Sequence, residues 1–267
     1  MTPYYNRNGI TIYCADNADV LPTLSGIDLI ITSPPYNLGV SSGGGFPTGN
    51  SVGKWGVQKL RHGKGSKLGA CALADGYQTY NDAMPPDQYI AWQHSFLRLA
   101  WQTMAPTGAI FYNHKPRIQA GILQTPFELN PGLPLRQIII WKRAGGVNFS
   151  PAHYLPTHEW IMILAKPDFR LKSQGASGAG DVWDFPQESN NPHPAPFPVG
   201  LPARAIETTN AALICDPFMG SGTTLRAAQD AGKAAIGIEL SEEYCQMAID
   251  RLRQFSLFSY VAGAVQL

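Results

Sequence analysis

Two short stretches of this sequence carry residue types that could do chemistry. The first is TSPPYN, Thr32 to Asn37, at the end of the apolar run GIDLIIT. Proline lacks an N–H and fixes φ, so a strand that ends in two prolines cannot continue as a central strand. The residue before each proline is pushed to an extended conformation. The chain is therefore expected to leave a sheet as a stiff, exposed stub carrying a hydroxyl (Ser33), an aromatic ring (Tyr36) and an amide (Asn37). Such a stub suits the rigid positioning of a reacting group.

The second stretch is DPFMGSGTT, residues 216–224, between an apolar run and a helical pattern. Gly220 and Gly222 permit a tight turn and close approach of a ligand to the backbone. A helix starting near Thr223 then points its free N–H groups at that ligand. Glu239 ends the next apolar run, AAIGIE, where an acid can accept both hydroxyls of a ribose. The third glycine of a dinucleotide fingerprint is missing, and no Lys-Ser or Lys-Thr follows as in a phosphate-binding loop. Asp216 would repel a pyrophosphate but suits a cationic centre. Adenosine carrying an amine and a sulfonium matches both acids. A plain strand–turn–helix is the competing reading.

These stretches need a sheet to hold them. IDLIIT (27–32) is a continuous apolar run, as in a strand covered on both faces. TIYCAD (11–16), GAIFYN (108–113), RQIIIWK (136–142) and EWIMILA (159–165) read as further strands. Residues 87–104 carry apolar groups at helical spacing after Pro85 and Pro86, and form the clearest amphipathic helix. The two runs 213–216 and 234–239 are each followed by a helical pattern. Strands alternating with helices indicate an α/β class with a largely parallel sheet. Residues 39–76 read as a long Gly-rich loop, and 167–192 as a polar, weakly structured segment.

The chain has 267 residues, enough to bury a substantial core, and reads as a single domain, 1–267. No apolar run approaches a membrane span, and the first residues lack the pattern of a secretory signal. Four scattered cysteines, at 14, 71, 215 and 245, suggest neither a zinc site nor a disulfide framework, which fits a reducing cytoplasm. The net charge of +1 says nothing about partners. The local balance does: residues 38–74 hold no Asp or Glu, but do hold Lys54, Lys59, Arg61, His62, Lys64 and Lys67. That composition suits either a solvated loop or a basic arm that meets phosphates.

TSPPY together with DPFMGSGTT resembles the S-adenosyl-L-methionine-dependent DNA amino-methyltransferases, which act on N4 of cytosine or N6 of adenine. The resemblance covers most of the chain. HPAPFPVGLPARAIE (193–207) is similar to the family segment that closes over the methionine part of the cofactor. GIELSEEYCQMAIDR is similar to its ribose-binding strand and following helix, and IYCADNADVLPTL to its opening strand, whose Asp16 would lie near the adenine. IIIWKRAGG and THEWIMILAK resemble its last strands. The clamp-like stretch precedes the glycine turn, which resembles the permuted beta class. The resemblance implies a Rossmann-like class I methyltransferase fold, circularly permuted, with a seven-stranded, mostly parallel sheet. It places cofactor contacts on Asp16, Thr32, Pro196, Phe197, Asp216, Phe218, Gly220, Ser221, Gly222, Thr223, Thr224 and Glu239.

In such a family the stub is a clamp, and Ser33, Pro34, Pro35 and Tyr36 are its catalytic residues. An exocyclic base amine is a poor nucleophile because its lone pair is delocalised into the ring. The Ser33 hydroxyl and the Pro34 carbonyl can each accept an N–H, drawing the nitrogen towards tetrahedral geometry and freeing the lone pair. The prolines pre-organise those acceptors, and Tyr36 would stack on a base flipped from the duplex. Ser before the prolines favours N4 of cytosine over N6 of adenine, although a hydroxyl and a carboxylate can both accept the amine proton. Double-stranded DNA is the implied partner. The 39–76 arm is expected to meet its phosphates through Lys54, Lys59, Arg61, Lys64 and Lys67, with Trp55 as a wedge or stacking group. The segment 167–192 would be a short recognition region.

Other residues carry weaker signals. His158–Glu159 reads as a pair that orients loops at a strand start rather than an acid/base or metal pair. His114 and Lys115 end a strand on the side of the clamp and are candidates for contact with DNA or substrate. The apolar tail 255–267 either docks on its own core or forms a dimer contact, since members of this class often pair as homodimers. No membrane or metal is implied. A nicotinamide-dependent oxidoreductase would explain the glycine turn and Glu239 but not Ser33-Pro34-Pro35-Tyr36. An inactive DNA-binding protein would need neither motif. Related clamps that act on protein glutamine usually carry Asn before the prolines, where this chain has Ser33.

Overall fold

The computed structural model describes residues 1–37, 84–119, 121–143, 151–186 and 198–263. The chain opens with β1 (Tyr5–Arg7), β2 (Ile10–Cys14), a short helix α1 (Asn17–Val20) and β3 (Ile27–Thr32). Helix α2 (Pro86–Thr103) follows, then β4 (Met104–His114), the hairpin strands β5 (Arg117–Gln119) and β6 (Ile122–Gln124), β7 (Leu135–Lys142) and β8 (His158–Ala165). A helical turn α3 (Gln174–Ser177), β9 (Val182–Asp184) and α4 (Gly200–Glu207) come next. The chain then runs through β10 (Leu213–Asp216), α5 (Thr223–Asp230), β11 (Ala234–Glu239) and α6 (Glu242–Gly263).

One sheet organises these elements, in the order β1-β2-β11-β10-β3-β4-β8-β7-β9. Strands β2, β11, β10, β3 and β4 are parallel neighbours, whereas β8 is antiparallel to both β4 and β7. The expected seven strands are thus nine among the described residues. The extra two are the three-residue strands β1 and β9 at the edges, too short to show as alternation. Strand β9 also corrects the reading of 167–192 as weakly structured. Trp141 pairs in register with Trp183, and both indoles are buried. A single large side chain thus pins a polar segment to the sheet edge.

Successive side chains on a strand point to opposite faces, and here both faces are covered. Leu29, Ile31, Phe111, Ile161 and Ile163 pack against α4, α5 and α6 through Leu201, Ala205, Leu225 and Ala248. Ile30, Ile110, Tyr112 and Met162 pack on the other face against Phe96, Leu97 and Ala100 of α2. This explains why β3 and β8 read as continuous apolar runs.

The chain order places the functional ends. From β3 the chain crosses through α2 to β4 on one side; from β10 it crosses through α5 to β11 on the other. Strands β3 and β10 are nevertheless paired, Ile214 with Leu29 and Cys215 with Ile30. The connections therefore diverge at the carboxyl ends of these two strands. Open α/β sheets form their ligand crevice at such a switch point.

Candidate active site at the β3–β10 switch point

The crevice is tied shut at its base. Thr32 Oγ1 donates to Asp216 Oδ1 at 2.9 Å, Phe218 N donates to the same oxygen at 3.1 Å, and Thr224 Oγ1 donates to Oδ2 at 2.6 Å. Asp216 is fully buried. Burial pushes its carboxyl up to about 6, against the hydroxyls of Thr224 and Thr32 and the Phe218 amide, which stabilise the charge. Asp216 therefore stands behind the glycine turn and holds it to β3, with its oxygens directed at protein groups.

The turn itself is built as its sequence demands. Gly220 and Gly222 have φ of +51° and +80°, which side chains rarely adopt. A Cβ on Gly222 would lie 2.7 Å from Ala248 Cβ of α6, so the turn sits directly on that helix. Gly222 caps α5 without a side-chain bond, which leaves amides of the first turn unpaired by a cap. Thr223 Oγ1 accepts from Arg251 at 3.0 Å, and Ser221 is buried beside it. Glu239 spans the turn: Oε2 accepts from Gly220 N and Oε1 from Ser241 N, each at 3.0 Å. Glu239 is only half-buried, so the second lone pair on each oxygen can still face a ligand. Burial raises its carboxyl above the ordinary range.

The flanks follow. Phe218 packs edge-on against Trp92 and Phe96, with ring centroids 5.6 and 4.8 Å away. Asp16 is exposed and caps α1 by accepting from Ala18 N at 2.9 Å. The adjacent Asn17 reaches the Pro217 carbonyl at 3.4 Å, so α1 borders the turn.

The stub is not exposed, contrary to the expectation from the sequence. Pro34 and Pro35 are buried, and Ser33 and Tyr36 are half-buried. The reason is a network that the surrounding elements supply. Tyr89 of α2 donates to the Pro35 carbonyl at 2.7 Å. Arg117 of β5 donates to the carbonyls of Tyr36 and Asn37 at 3.2 and 2.7 Å. Asn37 takes a positive φ of 54° and exchanges two hydrogen bonds with the Met84 backbone, at 2.9 and 2.7 Å. The residues that flank segment 38–83 therefore meet next to Tyr36.

Beneath the clamp lies a buried polar cluster. Ser33 Oγ is 2.8 Å from the Tyr36 hydroxyl, which donates to Glu159 Oε2 at 2.9 Å. Asn113 Nδ2 contacts Tyr36 Oη at 2.7 Å, Glu159 Oε2 at 2.9 Å and Ser33 Oγ at 3.3 Å. Arg143 Nη1 lies 3.4 Å from Glu159 Oε1. His114 packs against the Tyr36 ring with centroids 4.6 Å apart and is 2.8 Å from the Tyr89 hydroxyl. Burial pushes the His114 imidazole down to about 3; the Lys115 carbonyl opposes this and Arg117 reinforces it. His114 is thus a neutral support for Tyr36. Lys115 is held below the usual lysine range by burial and by Arg143.

Between the sheet and α4 runs a cleft lined by Thr32, Asn113, Ile161, Trp183 and, from α4, Leu201 and Ala205. Asn113 Oδ1 is buried without a partner. An orphaned acceptor of this kind is costly unless a ligand donor satisfies it.

Of the residues singled out in the sequence, the structure brings together Thr32, Ser33 and Tyr36 with Asp216, and through it with the turn from Phe218 to Thr224 and with Glu239. Pro196 and Phe197 lie outside the described residues, as do Lys54, Trp55, Lys59, Arg61, Lys64 and Lys67. The sequence reading passed over Asn113, Arg143, Tyr89 and Arg117 and placed Glu159 in a loop-orienting role. The one available signal for Glu159 is a carboxylate heading the apolar run WIMILA.

Comparison with known proteins agrees with this geometry. Residues 27–250 match the family model N6_N4_Mtase, described as DNA methylase. The Type II methyltransferase M.ScaI of Streptomyces caespitosus is 24% identical over 94% of this chain and 83% of its own. The structure of PvuII DNA methyltransferase (cytosine-N4-specific) superimposes with a TM-score of 0.68 at 17% identity, covering 93% of this chain and 88% of that one. The M1.HpyAVI–SAM complex does so with a TM-score of 0.56 at 18% identity, covering 91% and 98%. The family match runs through both the proline stub and the glycine turn of the switch-point crevice, and this chain is a member of the N6/N4 DNA methylase family.

Proposed function

We propose that this protein transfers the methyl group of S-adenosyl-L-methionine to the exocyclic amine of a base flipped out of double-stranded DNA, with N4 of cytosine the preferred target. The observation that carries the reading is the bond from Thr32 to Asp216, which sets the amine clamp beside the glycine turn of the crevice.

The residues present fit the cofactor. Glu239, half-buried and with one backbone donor on each oxygen, would offer its carboxylate to ribose hydroxyls, and α5 begins at Gly222 of the turn. Asn113 lines the cleft under α4, and its buried Oδ1 is an acceptor without a partner. When bound, the cofactor's sulfonium supplies an electrophilic methyl group. The chain's part is to hold the amine. Ser33 Oγ accepts one N–H of the amine, and the Pro34 carbonyl accepts the other. The buried prolines keep these acceptors fixed, which supplies both orientation and electrostatic pre-organisation. Tyr36 offers a ring face to the flipped base, offsetting part of the unstacking cost.

Ser33 favours cytosine, and the PvuII enzyme with the similar fold is cytosine-N4-specific by name. The basic arm 39–76, with Lys59, Arg61 and Lys64, would meet DNA phosphates. The residues on either side of segment 38–83, Asn37 and Met84, are bonded to each other next to Tyr36. Reversing these three charges to Glu should weaken DNA binding broadly and flatten its salt dependence; unchanged affinity would sink that assignment. The experiment for the reaction itself is incubation with S-adenosyl-L-methionine and unmethylated genomic DNA, followed by nucleoside mass spectrometry. N4-methylcytosine is the expected product. N6-methyladenine would keep the mechanism and replace the base; neither product, with the cofactor bound, would overturn the reading.

A further inference from the structure

We propose that Glu159 is a positioning residue that sets the hydrogen-bond polarity of the clamp, so that Ser33 Oγ faces the target amine as an acceptor. The inference rests on the amine-methylation reading above.

The argument follows protons outward from the carboxylate. An ionised carboxylate only accepts hydrogen bonds. Glu159 Oε2 therefore takes the single hydroxyl proton of Tyr36, 2.9 Å away. Tyr36 has no second proton to give, so across its 2.8 Å contact with Ser33 it is the acceptor. Ser33 must then direct its own proton inward, at Tyr36. What Ser33 presents to the crevice is lone-pair density. With the opposite polarity Ser33 would offer its O–H to the amine lone pair and occupy the electrons needed for attack on the methyl group.

Asn113 obeys the same constraint. Its Nδ2 points at Glu159, Tyr36 and Ser33, which leaves Oδ1 buried and unpartnered. A fold that leaves Oδ1 orphaned in order to keep Nδ2 on Glu159 is organised around that carboxylate. The charge is offset from the other side, where Arg143 Nη1 approaches Oε1 at 3.4 Å. Both ends of the carboxylate thus face donors, Arg143 on one and Tyr36 with Asn113 on the other. A glutamine has one acceptor oxygen and cannot serve both. With its oxygen on Arg143, its NH2 would meet Tyr36, turn the Tyr36 hydroxyl towards Ser33, and turn Ser33 outward as a donor.

The test compares wild type, Glu159→Gln, Tyr36→Phe and the double variant. Methyl incorporation into unmethylated genomic DNA gives kcat and KM, and calorimetry gives S-adenosyl-L-methionine affinity. Glu159→Gln should lower kcat about 100-fold, the order expected for a lost oriented acceptor, with cofactor affinity unchanged. In the Tyr36→Phe background the same change should add almost nothing, because the link it acts through is gone. A merely structural role would instead reduce activity equally in both backgrounds, and that result would overturn the proposal. So would a Glu159→Gln enzyme of wild-type kcat. Should Glu159→Gln fail to fold, Tyr36→Phe alone carries the test: undiminished kcat there overturns the chain. A wild type that methylates normally while the variants do too overturns this inference only. A wild type with no transfer overturns the reading beneath it as well.

Discussion

Thr32 and Asp216 are 184 positions apart in sequence, yet Thr32 Oγ1 donates to Asp216 Oδ1 at 2.9 Å with both side chains fully buried. This bond joins the strand that carries the clamp to the strand that carries the glycine turn. It also partly compensates a carboxylate that burial would otherwise penalise.

Replacing Thr32 by Val keeps the shape and removes the donor. A buried carboxylate deprived of a partner costs about 1–3 kcal/mol. For a chain of this size each kcal/mol lowers Tm by about 2–4 °C. Thermal melts should show that drop, with Thr32→Ser close to wild type. Equal Tm values for Val and wild type would mean that the bond contributes nothing.

Glu239 accepts a separate backbone amide on each oxygen, from Gly220 and from Ser241. Glu239→Gln leaves one of those amides facing an NH2 group, which distorts the turn at the point of ligand contact. S-adenosyl-L-methionine affinity, measured by calorimetry, should fall at least about tenfold, the equivalent of one charged hydrogen bond. Affinity at the wild-type level would remove Glu239 from the binding set.

Two buried groups give stability opposite pH slopes. His114 takes its proton at about 3 in the fold, against an ordinary value of 6.5. Between those values the unfolded chain binds the proton and the folded chain does not, so stability rises with pH through that window and is flat above it. Asp216 holds its proton up to about 6 in the fold, against 3.8. There the folded chain binds the proton, so stability falls as pH rises through its window. Each slope is at most about 1.4 kcal/mol per pH unit, and the two oppose each other from about pH 4 to 6. Urea titrations of His114→Gln at pH 5 and pH 7.5 should show the positive slope gone, leaving the variant relatively more stable at the acid end. A variant with the wild-type pH dependence would place the neutral imidazole elsewhere in the titration.

Much of the fold was readable because its signals are local. Pro85 and Pro86 start α2 within one residue of the expected position, and the apolar runs of β3, β7 and β8 fall where the sequence places them. Strand β9 was missed because three residues cannot show a period; its only cue is Trp183, whose burial depends on pairing with β7. The stub was read correctly as rigid but wrongly as exposed. Rigidity is a property of the prolines themselves, whereas burial depends on Tyr89 and Arg117 arriving from other elements.

The sequence by itself determined two turns: a proline-locked stub at Ser33–Tyr36 and a glycine turn from Asp216 to Thr224, each encoded by backbone restrictions within a few residues. Only the tertiary structure decided that the two are neighbours, because β3 and β10 meet through sheet pairing that nothing local specifies. The same holds for Glu159 and Asn113. Each is a lone polar residue in an apolar strand, and its partners exist only when β4 and β8 bring them beneath Tyr36. Hydrogen-bond polarity belongs to the assembled cluster, since no residue in it has a fixed direction until the carboxylate at its end is in place.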